Sequence, residues 1–311
     1  MYRESINSCR LAPVPRTERF GRSGIRQETE WKAPVNRRAM GLLLVFVFAG
    51  VTACSSESRA NTLRLGSTYT LDQSGALALL DSLHPPVPVR VIIEPSGQII
   101  HSAAGGNLDV VITHAPSLEQ RLLVAAGHVA LRCPFVSSRF AIVGPASDPA
   151  GVAGAHTAAD AFHRIAVTRA SFISRGDSSG TRIKELSLWQ AGGIARPGKS
   201  DSWYIETGLD QAGTVRLADE RGAYALADLP TFTRFTGLDL RVLFTADTAL
   251  GNPYTLYVIR SASALSAAER FSTWALAEWR SRLLALRLPA GETAFAPLAG
   301  GCAAPAASVE R

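Results

Sequence analysis

Ile173-Ser174-Arg175-Gly176-Asp177-Ser178-Ser179-Gly180-Thr181-Arg182-Ile183-Lys184-Glu185-Leu186 is the stretch from which the fold can be read. It runs from the end of a strand, through a turn rich in small hydroxyls, into the first turns of a helix. Asp177, Ser178 and Ser179 are each competent to cap that helix. The first N–H groups of a helix have no partner within it and carry the positive end of its dipole. Gly176 and Gly180 let an anion approach the backbone, and Arg175 adds a fixed charge in a planar fork. This chemistry suits a small multivalent oxyanion, although an ordinary capped turn uses the same residue types. Two other readings are weaker. Gly176 to Gly180 resembles the loop around a serine-protease nucleophile, but Ser179 replaces its second glycine and no matching histidine segment precedes it. Arg175-Gly176-Asp177 as an adhesion tripeptide has no other support.

Working outward, residues 62–66 read as a strand followed by the hydroxyl-rich turn Ser67-Thr68-Tyr69-Thr70. Ser74-Gly75 opens a helix with Leu77, Leu80 and Leu83 on one side, stopped by Pro85-Pro86. Residues 87–93 form a β-branched run, Ser96 starts a helix over 97–104, and 108–112 lack polar alternation, as in a strand buried on both faces. Capping boxes are read at Ser117 with Gln120 and at Ser266 with Glu269, and Thr157 with Asp160 opens a further helix. Residues 140–143, 171–174, 240–244 and 254–259 are expected strands; 213–228 is an expected helix. Strand and helix alternate as in a parallel α/β sheet, and in such sheets ligands bind beyond the carboxyl ends of the strands.

Composition narrows the function classes. Arg37-Arg38 and the apolar run from Gly41 to Gly50 resemble a secretory leader, too short to span a bilayer. The run closes on Val51-Thr52-Ala53-Cys54, which resembles a lipoprotein cleavage box, so Cys54 is the expected lipid anchor. The expected layout is a polar extension over 1–39, accounted for by initiation near Val35 or Met40, a lipoprotein signal peptide over 40–53 and a tether over 54–61. Residues 1–53 hold nine of the 32 basic and four of the 26 acidic side chains, so residues 54–311 hold 23 and 22. The basic balance belongs to the leader, and no nucleic-acid role is inferred. Cys133 and Cys302 remain; an oxidising compartment permits a disulfide between them, and pairing is left open. No cysteine or histidine cluster has metal-ligand spacing, and no paired carboxylates or nucleophile–base set marks an enzyme.

Over nearly the whole span after Cys54 the chain resembles the tungstate-binding proteins of bacterial ABC importers. The resemblance rests on the Ser67 to Thr70 turn with Ser74-Gly75, on Ser96-Gly97-Gln98, and on Asp109-Val110-Val111-Ile112-Thr113-His114-Ala115-Pro116. It continues through Ile142-Val143-Gly144-Pro145 with Asp148-Pro149-Ala150-Gly151, and Ser174 to Thr181 with Lys184-Glu185-Leu186 and Trp189. Trp203-Tyr204, Thr207-Gly208 and Asn252-Pro253-Tyr254 complete it. It implies an α/β periplasmic-binding fold of type II: two lobes, each a mostly parallel sheet flanked by helices, with the ligand cleft between them. The expected lobes are 62–144 plus 245–311 and 145–244.

The same resemblance implies extracytoplasmic capture of tungstate and delivery to a permease driven by an ATPase. It implies no enzymatic activity, no cofactor and a monomer. Ser67, Thr68, Thr70, Ser96, Ser179 and Thr181 are the expected hydroxyl or backbone donors and Arg175 the charge partner. His114 is expected to pack behind the site. Three positions depart from the family pattern: Tyr69 is larger than the usual threonine, Leu71 stands where threonine is common, and Arg182 where histidine is common. Arg182 is expected either to tune affinity or to face water. Molybdate has nearly the same size and charge, so a molybdate or sulfate binder on the same fold is the alternative, and an envelope-anchored oxyanion sensor is another.

Overall fold

The computed structural model describes residues 62–198 and 200–305. The polar extension, the signal peptide, the tether and Cys54 lie outside the described residues, which belong to one compact unit. In chain order the elements are β1 (Leu63–Ser67), α1 (Tyr69–Gln73), α2 (Ala76–Ser82), β2 (Val89–Ile93), α3 (Ser96–Ala104), β3 (Val110–Thr113), α4 (Pro116–Glu119) and β4 (Val129–Pro145). Then come α5 (Ala158–Thr168), β5 (Phe172–Ser174), α6 (Gly180–Ala191), β6 (Tyr204–Glu206), α7 (Gln211–Arg221) and β7 (Ala225–Asp228). The chain continues with α8 (Leu229–Phe232), β8 (Leu240–Phe244), β9 (Gly251–Ile259), α9 (Leu265–Trp274), α10 (Arg280–Ala285) and β10 (Ala296–Pro297).

The fold is α/β with a mixed sheet in the order β10-β4-β9-β3-β1-β2, and β7 and β8 pair with β4. The parallel arrangement read from the strand–helix alternation holds for β1 with β2 and β3, and for β5 with β6. The pairings of β4 and β9 are antiparallel. β4 is the spine: its residues 129–139 pair with β9, and 140–145 pair with β7 and β8. Sequence reading found only its last part, because Arg132, Pro134, Ser137, Ser138 and Arg139 interrupt the apolar run before it. Pro134 lies where the ladder to β9 shifts register, so its missing N–H is tolerated.

Other boundaries moved for local reasons. The helix expected over 213–228 ends at Gly222, and Ala225–Asp228 is a strand whose four residues are all buried. A short strand buried on both faces lacks the period-2 signature that separates it from a buried helix. The capping boxes at Ser117 and Ser266 do not form: these helices start at Pro116 and Leu265, with Ala115 and Ala264 at their caps. At the first, the Glu119 carboxylate instead accepts from the Ala115 N–H at 2.7 Å. Thr157 does cap its helix, accepting from the Asp160 N–H at 3.0 Å.

Two apolar clusters anchor the parts that carry the turns. One gathers Leu63, Leu65, Val110, Phe135, Leu256 and Trp279, with the Phe135 and Trp279 rings 5.2 Å apart. The other sets Phe162 edge-on to Trp189 at 4.4 Å, with Phe172 and Tyr204 in the same cluster. Aromatic pairs of this kind add about 0.5–1.5 kcal/mol beyond their buried area. Cys133 and Cys302 form a disulfide that joins β4 to the chain's last described residues, where Arg132 and Ala303 exchange backbone hydrogen bonds.

Candidate functional site

Three chain turns meet where β1, the start of α3 and the β5–α6 turn come together. The parallel register places Ser67 opposite Ile93, and the Glu94 N–H donates to the Ser67 carbonyl at 3.1 Å, so Ser96 follows beside the end of β1. The Gly97 N–H donates to the Ser178 carbonyl at 2.9 Å. A Cβ on Gly97 would sit 2.7 Å from the Ser178 Cβ, and one on Gly180 only 2.4 Å from the His114 carbonyl oxygen. Glycine at both positions is therefore what lets the turns touch. Arg175, at the end of β5, places its guanidinium carbon 5.9 Å from the Tyr69 ring centroid.

Most polar groups at this junction have protein partners. Among the described residues, three buried side-chain atoms do not: Ser67 Oγ, Ser96 Oγ and Arg175 Nε. Their residues are 0%, 1% and 2% exposed. Each comes from a different one of the three turns. Leaving a buried polar atom unmatched costs about 1–3 kcal/mol, so unmatched groups gathered at one junction point to a ligand. All three can donate, and Arg175 brings a positive charge.

The other expected site residues are buried here but committed to protein bonds. Ser179 caps α6, accepting from the Arg182 N–H, and its hydroxyl donates to Asp177 Oδ1 at 2.5 Å. Thr181 donates to Gln211 at 3.1 Å. Thr68 and Thr70 lie 3.1 Å apart, hydroxyl to hydroxyl. Asp177 holds the Arg175 fork, its Oδ2 accepting from Nη2 at 2.5 Å. That pair uses Nη2, and Nε is a buried guanidinium atom without a partner. The structure thus separates a directly available set (Ser67, Ser96, Arg175) from residues that shape the wall.

Behind Thr70 lies a buried chain of partners whose roles sequence reading did not assign. Asn252 Nδ2 donates to the Asp228 carboxylate at 3.0 Å and to Ser138 Oγ at 3.0 Å. Its amide oxygen therefore faces His114 Nδ1, 2.8 Å away, and Nδ1 carries the proton. His114 Nε2 is then an acceptor, and the Thr70 hydroxyl donates to it at 3.1 Å. Thr70 in turn accepts from the Tyr254 hydroxyl at 3.0 Å and from Thr68. The proton of Thr70 is thus taken by His114. Asn252 and Tyr254 were visible only as a family motif; the tertiary pairing gives them their role.

His114 is 3% exposed and stacks on Tyr254 at 4.9 Å, packed behind the site as expected. Burial, reinforced by the nearby Arg175 charge, lowers its pKa to about 4 despite the Asn252 bond. The unfolded histidine titrates near 6.5, so the unfolded chain binds the proton first as pH falls. Stability should therefore be full above about pH 6.5 and fall by about 3 kcal/mol as pH drops to 4. Urea unfolding at a series of pH values, compared with His114→Asn, checks this: the variant should show a flatter slope across that window.

Arg182 neither faces water nor reaches the junction. It is buried, pairs with Glu185 at 2.5 Å, and donates to Glu206 and to the Tyr204 hydroxyl. Its charge is spent within the α6–β6 packing, which a solvent-facing reading of the helix could not foresee. Leu71, the other departure in that turn, is fully buried in the core.

A profile of the PBP superfamily domain matches residues 55–278. An ABC transporter anion-binding protein of Haloferax volcanii is 36% identical over 220 residues, 67% of this chain; the chain spans 62% of that protein's length. The tungstate-binding protein TupA of Peptoclostridium acidaminophilum is 30% identical over 71% of this chain and 79% of its own. Among solved structures, that of the tungstate ABC transporter from Geobacter sulfurreducens superposes with a TM-score of 0.62 at 35% identity, covering 71% of this chain and 96% of that one.

Proposed function

The chain belongs to the PBP superfamily and, within it, to the tungstate-binding proteins, and from that premise we propose that it captures tungstate outside the cytoplasm for an ABC importer. The observation that carries the reading is the convergence of Ser67 Oγ, Ser96 Oγ and Arg175 Nε, three buried donors without protein partners. Tungstate is a tetrahedral dianion near neutral pH, with acceptor oxygens and no proton to give. Each hydrogen bond to such a charge contributes about 1.5–3 kcal/mol, enough together for tight binding after the cost of closure. In this reading Ser67, Ser96 and Arg175 touch the anion, and Thr68, Thr70, Ser179 and Thr181 hold the wall and offer backbone donors. The lobes are 62–144 plus 245–311 and 145–244, with the permease and its ATPase as partners.

The family binds solutes and is not an enzyme family. No helix among the described residues is long and apolar enough to cross a membrane. Our reading attaches the exported chain through a lipid on Cys54 and takes it to be a monomer without a resident cofactor. The test is calorimetric titration of anion-stripped protein with tungstate, molybdate, sulfate and phosphate. Tungstate should bind tightest, and phosphate bound as tightly as tungstate would overturn the assignment. Molybdate bound tighter than tungstate would move the assignment to the alternative on the same fold.

A further inference from the structure

The five-residue helix α1 follows directly on β1 and reaches the 145–244 segment at three points. At its start, the Tyr69 ring lies over the Arg175 guanidinium. In its middle, the Thr70 carbonyl lies 3.2 Å from the Thr231 hydroxyl, whose proton it shares with Asp228 Oδ2 at 3.0 Å. At its end, Gln73 grips the beginning of α7 twice: its Nε2 donates to Asp210 Oδ2 at 2.7 Å, and its Oε1 accepts from the Ala212 N–H at 3.0 Å. Asp210 is itself the cap of α7, its other oxygen accepting from the Gly213 N–H at 2.7 Å. A single amide side chain thus joins two segments well over a hundred residues apart, using both its donor and its acceptor. The turn before α1 carries Ser67 and Thr68, so α1 is joined directly to the donor set.

We propose that α1 is the clasp of the binding site, with Gln73 as its bolt and Tyr69 as the residue that positions Arg175. This deepens the function proposed above and rests on it for the identity of the anion. Asp177 holds Nη2 and the Tyr69 ring lies against the guanidinium, while Nε is left buried without a partner. An aromatic face attracts a guanidinium without consuming any of its N–H donors. Gln73 acts at a distance from the donors, by holding the two segments together once they meet. The Gly97 N–H bonded to Ser178 is the closure contact its grip should protect.

A clasp governs release more than capture, because most affinity differences among variants of one site lie in the off-rate. In stopped-flow measurements on the full chain with tungstate, Gln73→Ala should raise the off-rate about ten-fold while the on-rate changes less than about three-fold. Tyr69→Thr should also speed release about ten-fold, and Tyr69→Phe, which keeps the ring, should restore most of the slow release. Off-rates within two-fold of the parent in both Gln73→Ala and Tyr69→Thr would overturn the clasp. Amide exchange supplies a readout that needs no anion. Gln73→Ala should speed exchange at Ala212 and at Gly97 and spare Gly213, whose partner is Asp210. Unchanged exchange at Gly97 would overturn the clasp whatever anion the protein takes; failure of the parent chain to bind tungstate would instead remove only the functional reading.

Discussion

Replacing Arg175 with alanine is expected to weaken tungstate binding about 100-fold or more, about 3 kcal/mol. The substitution removes the one cation among the three unpartnered donors, from a site where its side chain is 2% exposed. It also leaves Asp177, 13% exposed, without its guanidinium partner, so a carboxylate is freed beside the place an anion must occupy. Arg175→Lys keeps the charge but loses the planar fork that bonds Asp177 with Nη2 and leaves Nε unpartnered, and should lose most of the affinity as well. Calorimetry gives the affinity, and urea unfolding of the same samples shows whether the fold persists. A folded Arg175→Ala protein with the parent's affinity would remove Arg175 from the site.

Asn252→Ala should be the most damaging change to stability among those considered, at about 4 kcal/mol or more. Asn252 joins His114, Ser138, Asp228 and Tyr254 in one buried network. Removing it strands the His114 Nδ1–H and takes one donor from the fully buried Asp228 carboxylate, whose pKa burial already raises. Each stranded buried group costs about 1–3 kcal/mol, and more when charged. The loss should also reach the anion site. Without Asn252, nothing holds His114 in the form that accepts the Thr70 proton, and Thr68 and Thr70 lose their fixed direction. Urea unfolding measures the first effect. The nitrogen NMR signals of His114 measure the second: the Nδ1-protonated tautomer should dominate in the parent and not in the variant. A stability loss below about 1 kcal/mol would show that the network is not the support described here.

Elements whose pattern is local were legible without coordinates. The Ser174 to Thr181 turn announced its cap and its glycines because capping depends on the next three residues. The strands over 110–113 and 240–244 announced themselves by apolar runs, the first buried throughout. What escaped depended on partners far along the chain. β4 hid its first half behind Pro134 and its polar neighbours, since an antiparallel partner, β9, supplies the pattern that the strand's own residues lack. β7 looked helical because burial on both faces erases alternation. Arg182 was expected to tune affinity or to face water, and instead Glu185, Glu206 and Tyr204 close around it.

The sequence by itself determined the kind of molecule: an α/β chain with glycine and hydroxyl turns placed after strands, and the residue types that an oxyanion requires. Spacing along the chain suffices for these, because capping, strand burial and turn geometry are decided within a few residues. Only the tertiary structure decided which hydroxyls keep a free proton. Ser67, Ser96 and Arg175 retain unpartnered atoms, whereas Ser179, Thr181 and Thr70 are bonded to Asp177, Gln211 and His114. A hydroxyl has one proton to donate, and whether a neighbour takes it depends on contacts across as many as 44 residues of chain, which no local pattern encodes.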